Sequence, residues 1–250
     1  AMSVGLLLND ILSCTRNRGV PPANHLGRGK VIDKSACREI IRGADTAEMT
    51  GGAVWYDAFA LNTERIILEL VHLLRHNNGS PINYVRVENI HKEGDGVVLS
   101  CVDRETGAGL EFSAGSVINA AGPWCTQFKS LSDDDGKIMK GWSKAVNVVV
   151  RPQLFPGYGV ALEGKSSFVD QNAVIRKGSR LFFFVPWEGR TMIGTVYIQQ
   201  ESPAPSPSIT REELQSILDE INQIYPEGNL SFDDITNYHV GLMPSIPVEN

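Results

Sequence analysis

Long apolar runs are missing from this 250-residue sequence, and none approaches the roughly 18 residues that a membrane-crossing helix needs. The apolar stretch 4–8 is too short for a signal-peptide core and has no basic leader, so a cytoplasmic setting is the default expectation. Cysteine is scarce. The four residues Cys14, Cys37, Cys101 and Cys125 form no C-x-x-C pair, which predicts free thiols and no zinc. The five histidines are scattered too, and no metal-ligand spacing emerges. Positive charge is not in excess: a net charge of −6 argues against a general nucleic-acid binder. Internal repeats are absent. The one biased segment, 201–208, carries three prolines and three serines and reads as a loop.

What is present is the patterning of a mixed α and β chain large enough to bury a core. Residues 5–13 fit a short helix, broken by the run from Thr15 through Arg18 to Pro22. Arg16 and Arg18 read as solvated surface charge, with an anion contact as the alternative. Residues 34–42 form a second helical candidate, with Asp33 or Ser35 as its cap. A glycine-led strand begins at Gly51-Gly52. The strongest helix covers 62–75, where Ile66, Ile67, Leu70, Val71 and Leu74 form one apolar stripe and Asn62 or Thr63 supplies the cap. Strands at 82–87, 97–102 and 110–112, separated by Gly94-Asp95-Gly96 and Glu105-Thr106-Gly107, read as a meander. A short buried strand, Val117 and Ile118, then runs into Asn119-Ala120-Ala121-Gly122-Pro123-Trp124. Small residues at a strand end let a large group approach the backbone closely.

The order strand, helix, strand in the middle third predicts a parallel crossover unit, with ligands beyond the carboxyl ends of its strands. The last third changes character. Strands at 146–150, 160–162, 173–176, 181–185 and 191–196 without intervening helices predict an antiparallel sheet. One helix, 211–225, interrupts them, opened by a Thr210-x-x-Glu213 capping box and closed by Pro226. The expected fold class is therefore α+β or α/β, in three parts: a helical lead-in (1–50), a parallel-sheet unit with a β-meander (51–130) and an antiparallel-sheet domain (131–250).

Four motifs recur together in one family: Gly51-Gly52-Ala53-Val54-Trp55-Tyr56-Asp57-Ala58, Thr63-Glu64-Arg65, Val117-Ile118-Asn119-Ala120-Ala121-Gly122-Pro123-Trp124, and Arg180 through Thr195 with its Pro-Trp-Glu-Gly-Arg-Thr centre. In these the chain resembles the FAD-dependent glycerol-3-phosphate dehydrogenases, within the wider D-amino-acid-oxidase-like group of flavoproteins. The resemblance implies FAD as cofactor and oxidation of sn-glycerol 3-phosphate, or a related polyol phosphate or hydroxy acid, at C2. It implies hydride transfer to the flavin, with electrons passing on to a quinone or to oxygen. Val85, Asn119, Ala120, Ala121, Gly122 and Trp124 are then expected at the adenine and pyrophosphate. Tyr56, Arg180 and Arg190 are expected toward the flavin ring and substrate, because a phosphate ester calls for guanidinium groups. His239 and Tyr56 both remain open as the base that takes the hydroxyl proton, and spacing singles out neither.

The sequence departs from that family in three places. The opening Gly-x-Gly-x-x-Gly loop is not found, and Gly27-Arg28-Gly29 does not supply it. Met243 stands where the family has arginine before Pro244. Val196-Tyr197 stands where it has Thr-Asp. These departures imply a piece of a longer flavoprotein, one that binds FAD weakly by itself and touches the membrane only peripherally if at all. They also leave a second reading, a non-catalytic ligand-binding or interaction module on the same fold.

Overall fold

The computed structural model describes residues 2–44, 49–127, 141–169, 177–200 and 206–245. Its elements are α1 (Met2–Leu12), β1 (Lys30–Asp33), α2 (Lys34–Ile40), β2 (Gly51–Val54), α3 (Thr63–His76), β3 (Val85–Glu93), β4 (Gly96–Asp103), β5 (Gly109–Ala114), β6 (Gly141–Val150), β7 (Val160–Val169), β8 (Lys177–Trp187), β9 (Arg190–Gln200), α4 (Arg211–Ile224) and β10 (Ile235–Ser245). The fold is mixed α and β, with the meander and the antiparallel sheet in their expected places. The strand expected at 173–176 lies outside the described residues.

The core sits between a five-stranded sheet, ordered β10-β6-β9-β8-β7, and α4. Alternation on the strands turns Val146, Val148, Phe182, Phe184 and Ile193 toward the helix. From α4, Leu214, Ile217, Leu218, Ile221 and Ile224 meet them as one buried stripe at helical spacing. Phe155, Phe184 and Tyr225 close one end as a ring cluster, with Phe155 5.5 Å from Phe184 edge-on and 5.1 Å from Tyr225. The start of α4 is fixed by the capping box. Glu213 N donates to Thr210 Oγ1 at 3.2 Å, and Thr210 N donates to Glu213 Oε2 at 2.8 Å. Two ion pairs tie the helix to the sheet: Lys144 Nζ to Glu213 and Arg180 to Glu220, at 2.7 and 2.8 Å.

The parallel crossover does not appear among the described residues, where every strand pair is antiparallel. β2 pairs with β1, and β3 pairs with β4 in a separate three-stranded sheet. A helix between two strands permits a parallel pair but does not require one. Here the four-residue β1, unmarked in the sequence, takes β2 as its neighbour. Asp33 caps α2 and Asn62 caps α3, each side chain accepting from a backbone N–H of the first turn. The apolar stripe of α3 is present but uncovered, with Ile67 and Leu70 each more than half exposed. Val117 and Ile118 form no strand, and Ile118 is 92% exposed. Extended backbone is assigned to a sheet only when a second strand takes its hydrogen bonds, and none does so here among the described residues.

Candidate active site

The five-stranded sheet has a second face, turned away from α4. The residues that alternate with the core ones emerge there: Leu181, Phe183 and Val185 from β8, Met192 and Tyr197 from β9, and Asn147 from β6. They line a hollow of about 360 Å3. Phe59 covers part of it from the irregular segment 55–62 between β2 and α3. That segment is pinned to the sheet by the indole of Trp187, which donates to the Leu61 carbonyl at 3.1 Å.

Apolar walls with a few converging polar groups are the ordinary make-up of a small-molecule site. The polar group here is Asn147. The β6–β9 register shifts between Val146 and Asn147, so Asn147 lies beside both Gly194 and Thr195. Thr195 Oγ1 donates to Asn147 Oδ1 at 3.0 Å. Among the described residues the amide N–H groups of Asn147 make no hydrogen bond, so they are available to an acceptor in the hollow. Gly194 is required for this close packing. A Cβ there would meet Asn147 Oδ1 and, at 2.9 Å, the Val146 carbonyl oxygen. The neighbouring strand adds His239, the register partner of Asn147, and Met243 two positions of the same parity further on. The His239 ring meets Trp187 edge-to-face at 5.7 Å.

A larger hollow, about 560 Å3, lies between α1 and β1 and is walled by Leu6, Leu7, Ile11 and residues 28–31. Its acidic group, Asp10, is already held by Arg16 at 2.8 Å. Arg16 itself is not a free surface charge, since it also donates to the Gly27 carbonyl at 2.6 Å. The sheet hollow is taken as the candidate because it lies on the face of the five-stranded sheet left without a helix and carries the Asn147 amide among its apolar walls.

The expected residues separate into groups. Asn119 through Trp124 form one compact turn. Asn119 Oδ1 accepts from Ala121 N at 3.1 Å, its Nδ2 donates to the Cys125 carbonyl at 2.9 Å, and Trp124 N donates to the Ala121 carbonyl at 3.2 Å. Gly122 has φ +58°, the left-handed conformation that glycine adopts most easily, and nothing lies within 4 Å of where its Cβ would be. Val85 opens β3, half-buried and paired with Asp103. Tyr56 is exposed, its ring lying against Gly27 so closely that a Cβ there would come within 2.6 Å of Cε2. Arg190 is exposed on the turn after Trp187. Arg180 is not brought to the open face. It shares the parity of Phe182 and Phe184, and its guanidinium meets Glu220 of α4. Asn147, Thr195 and Phe59 were not singled out from the sequence. Asn147 carried a signal, as the one polar residue in the apolar run Ala145 to Val150.

The profile of the DAO family, FAD dependent oxidoreductases, matches residues 15–250, and the chain belongs to that family. It is 24% identical to a glycerol-3-phosphate dehydrogenase of Synechocystis over 97% of its own length and 43% of that protein. It is 28% identical to the alpha-glycerophosphate oxidase of Streptococcus pneumoniae over 98% of its length and 38% of that protein. Among solved structures it resembles the glycerol-3-phosphate dehydrogenase from Bacillus halodurans, determined in complex with FAD, with a TM-score of 0.65 and 26% identity over 86% of this chain and 41% of that one. The chain thus spans less than half the length of these relatives. An L-proline dehydrogenase from P. horikoshii shares the fold, with a TM-score of 0.59 and 16% identity.

The residues present fit a dinucleotide cofactor at one place. Ala120 and Gly122 are exposed, nothing lies within 4 Å of where a Gly122 Cβ would be, and the Asn119 side chain holds the turn in shape. Among the described residues no helix is long and apolar enough to cross a membrane.

Proposed function

We propose that this chain serves the substrate side of an FAD-dependent oxidoreductase that oxidises sn-glycerol 3-phosphate, or a closely related hydroxy compound, at its C2 carbinol. The observation that carries this reading is similarity over nearly the whole chain to two proteins named for glycerophosphate oxidation. The open sheet face supports it, offering an apolar hollow with one oriented amide donor for a substrate oxygen. When bound, FAD supplies the two-electron acceptor for the carbinol hydride. Asn119, Ala120, Ala121 and Gly122, with Trp124 and Val85, are the residues we assign to the dinucleotide. Asn147, Tyr56 and Arg190 are those we assign to the substrate and ring. Phe59, held by the Trp187–Leu61 hydrogen bond, excludes water from the hollow. A quinone is the acceptor we assign to the second half-reaction. The division at residues 51 and 131 into lead-in, cofactor part and substrate part belongs to the same reading.

The test is anaerobic addition of glycerol 3-phosphate to the FAD-loaded protein in its full reading frame, followed by visible absorption. Bleaching of the oxidised flavin band is the expected result. A flavin that stays oxidised with glycerol 3-phosphate overturns the substrate. A protein that takes up no flavin favours a non-catalytic binding module on this fold.

A further inference from the structure

We propose that His239 is the proton acceptor for the carbinol hydroxyl, an inference that rests on the oxidation reading above. Removing a hydride from a carbinol carbon leaves an O–H proton to be taken by a base in the site. The open face narrows the choice between the two residues that sequence left open. Tyr56 lies against Gly27 on the segment that follows β2. His239 lies on the sheet, on the face that carries the hollow, as the register partner of Asn147. The backbones that carry Asn147 and His239 are therefore one strand spacing, about 4.8 Å, apart, and the two side chains leave the same face of the sheet side by side.

The ring is also held in place. The Asn237 amide nitrogen is 3.3 Å from Nε2. At 3.3 Å the contact is long enough to give way to a substrate hydroxyl at roughly 2.6–3.2 Å. The edge-to-face contact with Trp187 sets the plane of the ring. Trp187 also anchors the segment bearing Phe59, so the same indole orients the base and the cover of the hollow. In the step, the O–H bond breaks and its proton passes to Nε2. The C2–H bond breaks, and its electron pair leaves as hydride to the flavin, the two-electron oxidant. The carbon–oxygen double bond forms between them.

Several charged and titratable groups sit on the elements around His239. Tyr238 is on its own strand, and Glu188 and Arg190 are on the turn that bears Trp187. Asp57 is on the segment anchored by that indole, and Lys144 is on β6, turned to the other face in its pair with Glu213.

The test is the rate of flavin reduction by glycerol 3-phosphate in the FAD-loaded full chain, wild type against His239→Asn and His239→Gln. The expected result is a loss of about 100-fold in both variants. A second measurement needs no turnover. In the FAD-free protein, the His239 ring nitrogens, followed by 1H–15N correlation, should shift on adding glycerol 3-phosphate. Variant rates within threefold of wild type, or ring resonances that ignore the substrate, would overturn the assignment. A wild-type flavin that is never reduced is a different outcome. It removes the oxidation reading itself, and this role with it.

Discussion

Replacing Glu213 by Ala should destabilise the protein far more than replacing its partner Lys144 by Met, although both changes delete the same ion pair. Lys144 projects from the middle of β6 with its side chain only 5% exposed, while the Glu213 side chain keeps 27%. The ammonium donates to both carboxylate oxygens at 2.7 Å and to the Ser208 carbonyl at 3.0 Å. Glu213→Ala leaves a buried ammonium with one neutral acceptor. Stranding a buried charge costs roughly 3–5 kcal/mol. The low end, about 3 kcal/mol, applies here because the space left by the carboxylate opens to water. Loss of the capping-box contact from Thr210 N adds about 1 kcal/mol. Lys144→Met removes the charge and keeps the stem. The carboxylate it leaves is partly hydrated and still accepts from Thr210 N, so about 1 kcal/mol is lost. With a urea dependence of about 2 kcal/mol per molar, the midpoint should move by about 2 M in the first variant and about 0.5 M in the second. The double variant still lacks the capping-box contact and should lose about 2 kcal/mol, a midpoint shift of about 1 M, giving a coupling of about 3 kcal/mol.

The pH dependence follows from the same contacts. Burial alone would raise the Glu213 carboxyl, but the Lys144 hydrogen bonds, the Thr210 N–H and the Lys144 charge outweigh it. The folded value lies below the ordinary 4.5. A depressed folded value contributes stability that is fully present above the unfolded value and is lost as pH falls through the folded one. The wild-type midpoint should therefore drop as pH falls below about 4.5, and the Lys144→Met midpoint should drop less steeply. Urea titrations followed by far-UV circular dichroism measure both. Equal shifts in the two single variants, or a coupling under 1 kcal/mol, would refute the reasoning.

Gly194→Ala should cost about 1–3 kcal/mol, because the new methyl group meets the Val146 carbonyl and the Asn147 side chain. It should weaken substrate capture as well, since the amide of Asn147 must move. A thermal melt and a KM measurement on the loaded enzyme check the two effects, and a KM change without a stability change would contradict the contact. Arg180→Ala should lower stability by about 1–2 kcal/mol, as it deletes the ion pair with Glu220, whose side chains are 23% and 16% exposed. The KM for glycerol 3-phosphate should stay within twofold. A tenfold rise in KM at unchanged stability would return Arg180 to the substrate.

The parts of the fold that could be read from sequence are those where one periodicity dominates. The stripe of α4 and its capping box, the stripe of α3 with Asn62 as cap, and the glycine turns of the meander are local signals that tertiary context did not override. β1 could not be read, because Lys-Val-Ile-Asp is too short to show a period. Val117 and Ile118 failed for a related reason: two apolar residues satisfy a strand and an exposed turn equally well. Partners of strands are not local at all. The helix between β2 and β3 said nothing about β1, which became the neighbour of β2.

The site was partly hidden by a more specific cause, in β8. Its run Leu181-Phe182-Phe183-Phe184-Val185 is apolar at every position, so alternation cannot tell which set faces the core. The motif placed Arg180 near substrate, but its parity joins it to Phe182 and Phe184, the set that α4 covers. Continuous apolar runs belong to strands covered on both faces. Here α4 covers one face of β8. On the other, Phe183 is 44% and Leu181 51% exposed around the hollow. A sequence that makes both faces apolar, yet sets a lone Asn147 and, opposite it, His239 on the face without a helix, is suited to a second cover that is flat, apolar and in need of one or two polar contacts. On β8 the odd-numbered Leu181, Phe183 and Val185 line the hollow, and the even-numbered Phe182 and Phe184 hold α4.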